Sequence, residues 1–164
     1  MSIDLRPLSR HELQILADSA IPQEIAKYVV AGALPPAFVA ARALAHLAEG
    51  KSPQWCSTFY ILRKSDGAIV GGCGFKDAPR DGRVEIGYAV AQSCRNQGIA
   101  TKAVRELTRL AFASAEVHEV LAEIAPDNEA SMRTVQKLDF AHCGIKDGDE
   151  NLVLWLLRKS TSRD

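Results

Sequence analysis

With 164 residues, 47% hydrophobic and 24% charged, the chain is sized for a single domain over residues 1–164, with the composition of an ordinary globular protein. Lys plus Arg equals Asp plus Glu at 20 each, which argues against nucleic acid as the main partner, because such domains usually carry a basic excess. Cys56, Cys73, Cys94 and Cys143 form no C-x-x-C pair, the N-terminal MSIDLRPLSRHEL lacks an apolar leader core, and no apolar run is long enough for a membrane span. The expectation is a cytoplasmic protein with reduced thiols and no membrane partner.

Residues 3–8 predict a first strand. Ser9 reads as a helix N-cap, Glu12 completes a capping box, and Leu8 and Leu13 flank it as a hydrophobic staple. The helix is expected from Arg10 to Ala20, where Ile21-Pro22 breaks it. Gln23 to Ala31 reads as a second helical piece, with Ile25 and Val29 four residues apart and Gly32 at its end. Ala37 to Glu49 predicts a helix entered through Pro35-Pro36 and stopped by Gly50, with Phe38, Ala41, Ala45 and Ala48 on one side. These pieces are expected to pack on a sheet and to wall a pocket.

Ser57 to Lys64 and Ala68 to Lys76 are β-rich runs joined by Ser65-Asp66-Gly67, a strong hairpin signal. Gly71, Gly72 and Gly74 in the second run point to a bulge or to close approach of another backbone. Arg83 to Ala91 predicts a strand with Val84, Ile86, Tyr88 and Val90 on one face and Glu85, Gly87 and Ala89 on the other. The helix after it carries Ile99, Ala103, Leu107, Leu110 and Ala111 as a buried stripe, with Lys102, Arg105, Glu106 and Arg109 outward. Val117 to Ile124 is a further strand, and Asp127 or Asn128 caps a helix to about Leu138. Phe140 to Ile145 and Leu152 to Arg158 are final strands linked by a polar turn from Lys146 to Asn151, and the tail STSRD is expected to fray. The order is that of a mixed α/β domain with helices around one sheet.

The strand at 83–91 runs into Arg95-Asn96-Gln97-Gly98-Ile99-Ala100 and then into a helix. First-turn N–H groups have no partner within a helix and sit at its positive end, so this arrangement builds an anion site. It is not a P-loop, for G-x-x-x-x-G-K-[ST] is absent, nor a dinucleotide fingerprint, for G-x-G-x-x-G is absent. What stands is Arg-x-x-Gly-x-Ala, preceded by Glu85-Ile86-Gly87-Tyr88 and followed by Asn128-x-x-Ser131 and Leu138-Asp139-Phe140.

This set resembles motif A and its surroundings in the GNAT superfamily of acyl-CoA N-acyltransferases. It is most similar to the Rim-type branch of ribosomal-protein N-terminal acetyltransferases, where E-I-G-Y and N-x-x-S occur together. The resemblance covers nearly the whole chain and is weakest at residues 20–50. It implies the GNAT fold, an α/β (α+β) domain with one mixed, mostly antiparallel sheet flanked by helices. It further implies acetyl-CoA as cofactor and a primary amine, either a protein N-terminus or a small amine, as acceptor. By position, backbone groups of Tyr88, Ala89 and Val90 would hold the pantetheine arm and thioester. Arg95, Asn96, Gln97, Gly98, Ile99, Ala100 and Thr101 would wrap the pyrophosphate. Asn128 would contact the cofactor or stabilise its own loop, and Ser131 would lie near the sulfur.

The acceptor amine must lose a proton, since an alkylammonium has a pKa of roughly 10. Glu85 is the candidate base; its alternative role is a structural carboxylate bonded to a neighbouring strand. A backbone N–H near Val90 would meet the developing oxyanion. Many family members carry a Tyr acid seven residues after the Asn; here that position is Val135, and Ser131 is the candidate substitute. The closing Gly-Phe is Asp139-Phe140. An acyl-CoA-binding regulatory module without turnover and a non-CoA anion-binding domain are the alternatives. Cys94 is read as a plain loop cysteine, Trp55 and Trp155 as core or edge anchors, and Glu116, Glu119 and Glu123 as a solvated face. His11, His46, His118 and His142 show no ligand spacing, so no metal is expected. A homodimer is left open, two-fold dimers being the commonest oligomers in general.

Overall fold

The computed structural model describes residues 1–161; of the tail expected to fray, residues 162–164 lie outside the described residues. The strands are β1 (Ile3–Pro7), β2 (Thr58–Arg63), β3 (Ile69–Phe75), β4 (Arg83–Val90), β5 (Glu119–Ile124), β6 (Ala141–Lys146) and β7 (Asp149–Arg158). They form one sheet in the order β1-β2-β3-β4-β5-β7-β6. Every pairing is antiparallel except β4 with β5. The helices are α1 (Arg10–Ala17), α2 (Ala37–Ala48), α3 (Ile99–Phe112) and α4 (Glu129–Lys137). The first two pack on one another, and α3 packs on α4 and on β4. This is the mixed, mostly antiparallel sheet flanked by helices that the resemblance implies.

Local chemistry explains the element ends. Ser9 accepts from the Glu12 N–H at 3.1 Å while Glu12 Oε1 accepts from the Ser9 N–H at 3.2 Å, so the expected capping box is formed. The β2–β3 hairpin closes through Gly67, whose φ of 71° only glycine adopts without strain. Arg63 grips Asp66 across that turn at 2.8 Å. Trp55 is buried edge-on against Phe75, with ring centroids 5.1 Å apart.

Several expectations are corrected. Helix α1 ends at Ala17, because Ser19 turns left-handed (φ 59°) and the chain closes with Ala20 N–H on Ile15 O at 3.0 Å. Gln23 to Ala31 is not a helix; only Ala26–Tyr28 makes a 3₁₀ turn. The β-branched pair Val29 and Val30 instead joins the sheet margin, Val29 bridging Ile69 and the Val30 N–H bonding Ile69 O at 3.0 Å. In α2 the inward residues are Ala40 and Ala43, while Phe38 is 67% exposed and Ala41, Ala45 and Ala48 face outward. In α3 Val104 and Thr108 are buried and Leu110 is only half-buried. Strand β5 begins at Glu119, and β6 and β7 meet in a two-residue Asp147-Gly148 turn, not a six-residue one. Asp-Gly there is the same hairpin signal as at 66–67.

Asp139, where the resemblance places a glycine, adopts the left-handed conformation (φ 65°). It lets the Phe140 N–H return to Val135 O at 3.0 Å and close α4.

The glycines of β3 mark close approach. A Cβ on Gly71 would lie 2.3 Å from Ala89 O, one on Gly74 would lie 2.6 Å from Ser57 O, and one on Gly72 would lie 2.9 Å from Pro35 Cγ. At Gly71 and Gly74 the obstruction is backbone of the adjoining strand or of the segment entering one, which cannot swing aside. We expect Gly71→Ala to destabilise the fold by about 1–3 kcal/mol, the usual range for overpacking, read as a lowered urea midpoint at unchanged slope.

Candidate active site

The site begins where β4 and β5 part. Their parallel register runs from Arg83↔Glu119 to Ile86↔Ala122 and stops. Beyond it, β4 stays with β3 as far as Val90↔Gly71, and β5 stays with β7 as far as Ile124↔Val153. On the β3 side, Lys76 N–H bonds Glu85 O at 2.9 Å and Ala91 N–H bonds Val70 O at 2.8 Å. By the alternation of an antiparallel ladder, the N–H groups of Tyr88 and Val90 then point the other way, into the opening gap.

Two cavities flank that gap. Tyr88, Ala89, Asn128 and Ser131 line both. One, of about 270 Å³, is lined by Val90, Arg95, Asn96 and residues 98–101, with Arg133 and Lys137 as further cations. The loop is anchored by buried Cys94 and Ile99 and shaped by two left-handed residues, Asn96 (φ 62°) and Gly98 (φ 76°). Gly98 opens α3 with no side-chain cap, and a Cβ placed on it would meet no atom within 4 Å. The N–H groups of residues 96–101 make no hydrogen bond within the described residues. Free amides, a helix start and three cations make an anion cradle. Gln97, alone among the expected loop residues, does not line it.

The second cavity, of about 320 Å³, is walled by α2, its preceding loop and the strands. Its charged residues are Arg42, Lys76 and Glu123. Glu123 was expected on a solvated face, but its side chain is 10% exposed and Lys146 Nζ lies 3.0 Å from Oε2. That carboxylate holds the Lys146 ammonium above its usual pKa. Glu119 is likewise no free surface charge, bridging Arg83 at 2.8 Å and Arg158 at 3.4 Å. Glu85 lines neither cavity. Lys76 Nζ stands 3.1 Å from its buried Oε2, in a direction too oblique for a good hydrogen bond. The sequence signal for Glu123 was its place two residues from Leu121, which lies opposite Glu85 in the β4–β5 register and so shares its face. A run of spaced glutamates hid it.

Helix α4 covers the gap. Asn128 caps it, its Oδ1 accepting from the Ser131 N–H at 3.2 Å. The Tyr88 hydroxyl donates to Ser131 O at 3.0 Å, tying the strand to the helix across the gap. Burial pushes the Tyr88 phenol up to about 12. Val135, where the resemblance implies a tyrosine, is fully buried and lines neither cavity. Cys73, on the second cavity's wall, is buried, and burial pushes its thiol up. Among the described residues no cluster of His, Cys, Asp and Glu is suited to a metal ion, and no helix is long and apolar enough to cross a membrane.

Residues 3–141 match the family model for the acetyltransferase (GNAT) domain. Over 88 residues the chain is 31% identical to the uncharacterized N-acetyltransferase p20 of Bacillus licheniformis, a match covering 53% of this chain and 49% of that protein. The chain spans about half the length of the curated relatives it matches. Among solved structures, aminoglycoside acetyltransferase AAC(6')-Ib in complex with coenzyme A shares the fold at TM-score 0.66 and 21% identity, over 96% of this chain and 95% of that one. The ribosomal-protein-S5-alanine acetyltransferase from Vibrio fischeri does so at TM-score 0.67 and 14% identity, over 100% and 97%.

The Tyr88 phenol gives a signed pH dependence. Its native pKa of about 12 lies above the unfolded value of roughly 10, so the native state holds the proton more tightly. Its stabilising contribution is full below about pH 10 and is lost as pH rises toward 12. Denaturant unfolding across that window should show a steeper fall for the wild type than for Tyr88→Phe; parallel curves would refute the assignment.

Proposed function

The chain belongs to the acetyltransferase (GNAT) domain family, and from that premise we propose that it transfers an acetyl group from acetyl-CoA to a primary amine in a ternary complex. The acceptor is a protein N-terminus or a small amine. The observation that carries this reading is the pair of cavities meeting at Tyr88, Ala89, Asn128 and Ser131, with the anion cradle on one side only.

Coenzyme A supplies the acetyl group as a thioester. Arg95 and the free amides of residues 96–101 hold its pyrophosphate, and Gly98 leaves the space the phosphates need. The N–H groups of Tyr88 and Val90 hold the pantetheine arm, and the Val90 N–H is a donor for the carbonyl oxygen as it gains charge. The acceptor enters through the second cavity. Glu123, the carboxylate on its wall, takes the ammonium proton directly or through a water. Glu85, the base expected from sequence, acts by holding Lys76, which lines the cavity. Ser131 is the proton donor toward the sulfur, a mild task because a thiol pKa is roughly 8.5.

Val135 favours a second reading, a binding module without turnover. Thiol release from acetyl-CoA across an amine panel separates the two. Glu123→Gln should lower kcat/KM by about 100-fold or more, the usual range for a general base, and Glu85→Gln by less than about tenfold. Acetyl-CoA should raise Tm where ATP and NAD do not. A shift with acetyl-CoA but no turnover with any amine would make the chain a binding module. A shift with ATP or NAD alone would overturn both readings.

A further inference from the structure

The walls of the second cavity constrain what kind of amine can enter. At about 320 Å³ it sits at the low end of small-molecule sites, which run from roughly 300 to 1,000 Å³. Its lining is largely apolar, with Leu34, Pro35, Val39 and Phe75 among the wall residues. Gly72 permits this shape, since any side chain there would strike Pro35. Two of its three charged residues are already matched. Lys76 is paired with Glu85 at 3.1 Å, and Glu123 with Lys146 at 3.0 Å. The third, Arg42, has no ion-pair or hydrogen-bond partner among the described residues. It stands one helical turn after Phe38 and Val39, so the three share one side of α2. Phe38, 67% exposed, is an apolar surface at the same wall.

We infer that the acceptor is a small apolar amine that also carries a carboxylate, with the carboxylate held by Arg42 and the amine directed to Glu123. The inference rests on the acetyl-transfer reading above. An unmatched guanidinium on a mostly apolar wall is satisfied best by a planar anion, which its forked donors meet in pairs. A polyamine would find a single carboxylate, shared with Lys146, for its several charges and would face the unmatched charge of Arg42, which repels it. The cavity thus suits a molecule with one positive and one negative group on a hydrophobic body, and apolar amino acids are the simplest probes of that pattern.

The test titrates L-leucine, L-methionine and L-phenylalanine, the corresponding amino-acid amides, and spermidine into protein saturated with CoA, by calorimetry. Thiol release from acetyl-CoA is followed on the same panel. The wild type should bind at least one amino acid about tenfold or more tightly than its amide, and spermidine more weakly than either. Arg42→Gln should bring acid and amide within about threefold of one another. Arg42→Lys, keeping the charge, should retain part of the preference, which a merely structural role for Arg42 would not produce. Equal binding of acid and amide, tightest binding of spermidine, a preference unchanged in Arg42→Gln, or no binding by any amino acid would overturn the inference. Carboxylate-dependent binding without thiol release would keep Arg42's role and sink the transfer reading. Thiol release with neutral or polycationic amines alone would do the reverse.

Discussion

Everything at the site depends on β4 leaving β5 after Ile86 and Ala122. Had the parallel ladder continued, the N–H groups of Tyr88 and Val90 would be spent on β5. The two cavities would then be separated by a closed sheet. Instead each strand stays with its other neighbour, β4 with β3 and β5 with β7, so the sheet opens along a single seam without losing its remaining ladders. The buried hydrophobics on both sides of the seam belong to one core cluster, which holds the halves at a fixed separation.

An open seam would be a weak point without a tie across it. Helix α4 provides one. Asn128 fixes the start of the helix through the Ser131 N–H, and Tyr88 reaches over from β4 to the Ser131 carbonyl. One residue of the helix therefore donates a bond to the cap and accepts one from the strand. Both bonds use main-chain groups of Ser131 and leave its hydroxyl out. The charged residues near the seam are organised in the same economical way. Two glutamates on neighbouring strands, Glu85 of β4 and Glu123 of β5, are each neutralised by a lysine, one behind the cavity wall and one on it.

Much of this was legible in the sequence. The Ser9–Glu12 box, the Asp66-Gly67 turn and the α3 periodicity act over a few residues, so local chemistry decides them. The loop at 95–100 was legible because the left-handed backbone at position 98 favours glycine. What sequence reading missed depends on tertiary placement. Residues 23–31 have a helical spacing, but Val29 and Val30 find partners on Ile69, about forty positions along the chain. Phe38, Ala41, Ala45 and Ala48 form a stripe of the correct period on the outward side, because α2 approaches its neighbours through small Ala40 and Ala43. Glu85 and Glu123 share the same face of adjacent strands. Only the position of Lys76, and of the seam itself, shows which of the two reaches the cavity.

Asp139 carries a different consequence. Its left-handed backbone is the conformation a glycine would take freely, and for a residue with a Cβ it holds strain on the order of 1 kcal/mol. The turn lies at the far end of α4 from Asn128 and Ser131, and Asp139 lines neither cavity. The chain therefore carries an unspent reserve of robustness at a position remote from its chemistry. A lineage that acquired glycine there could tolerate a harmful change at the acceptor wall, and so explore new acceptors, without falling below the stability its fold requires.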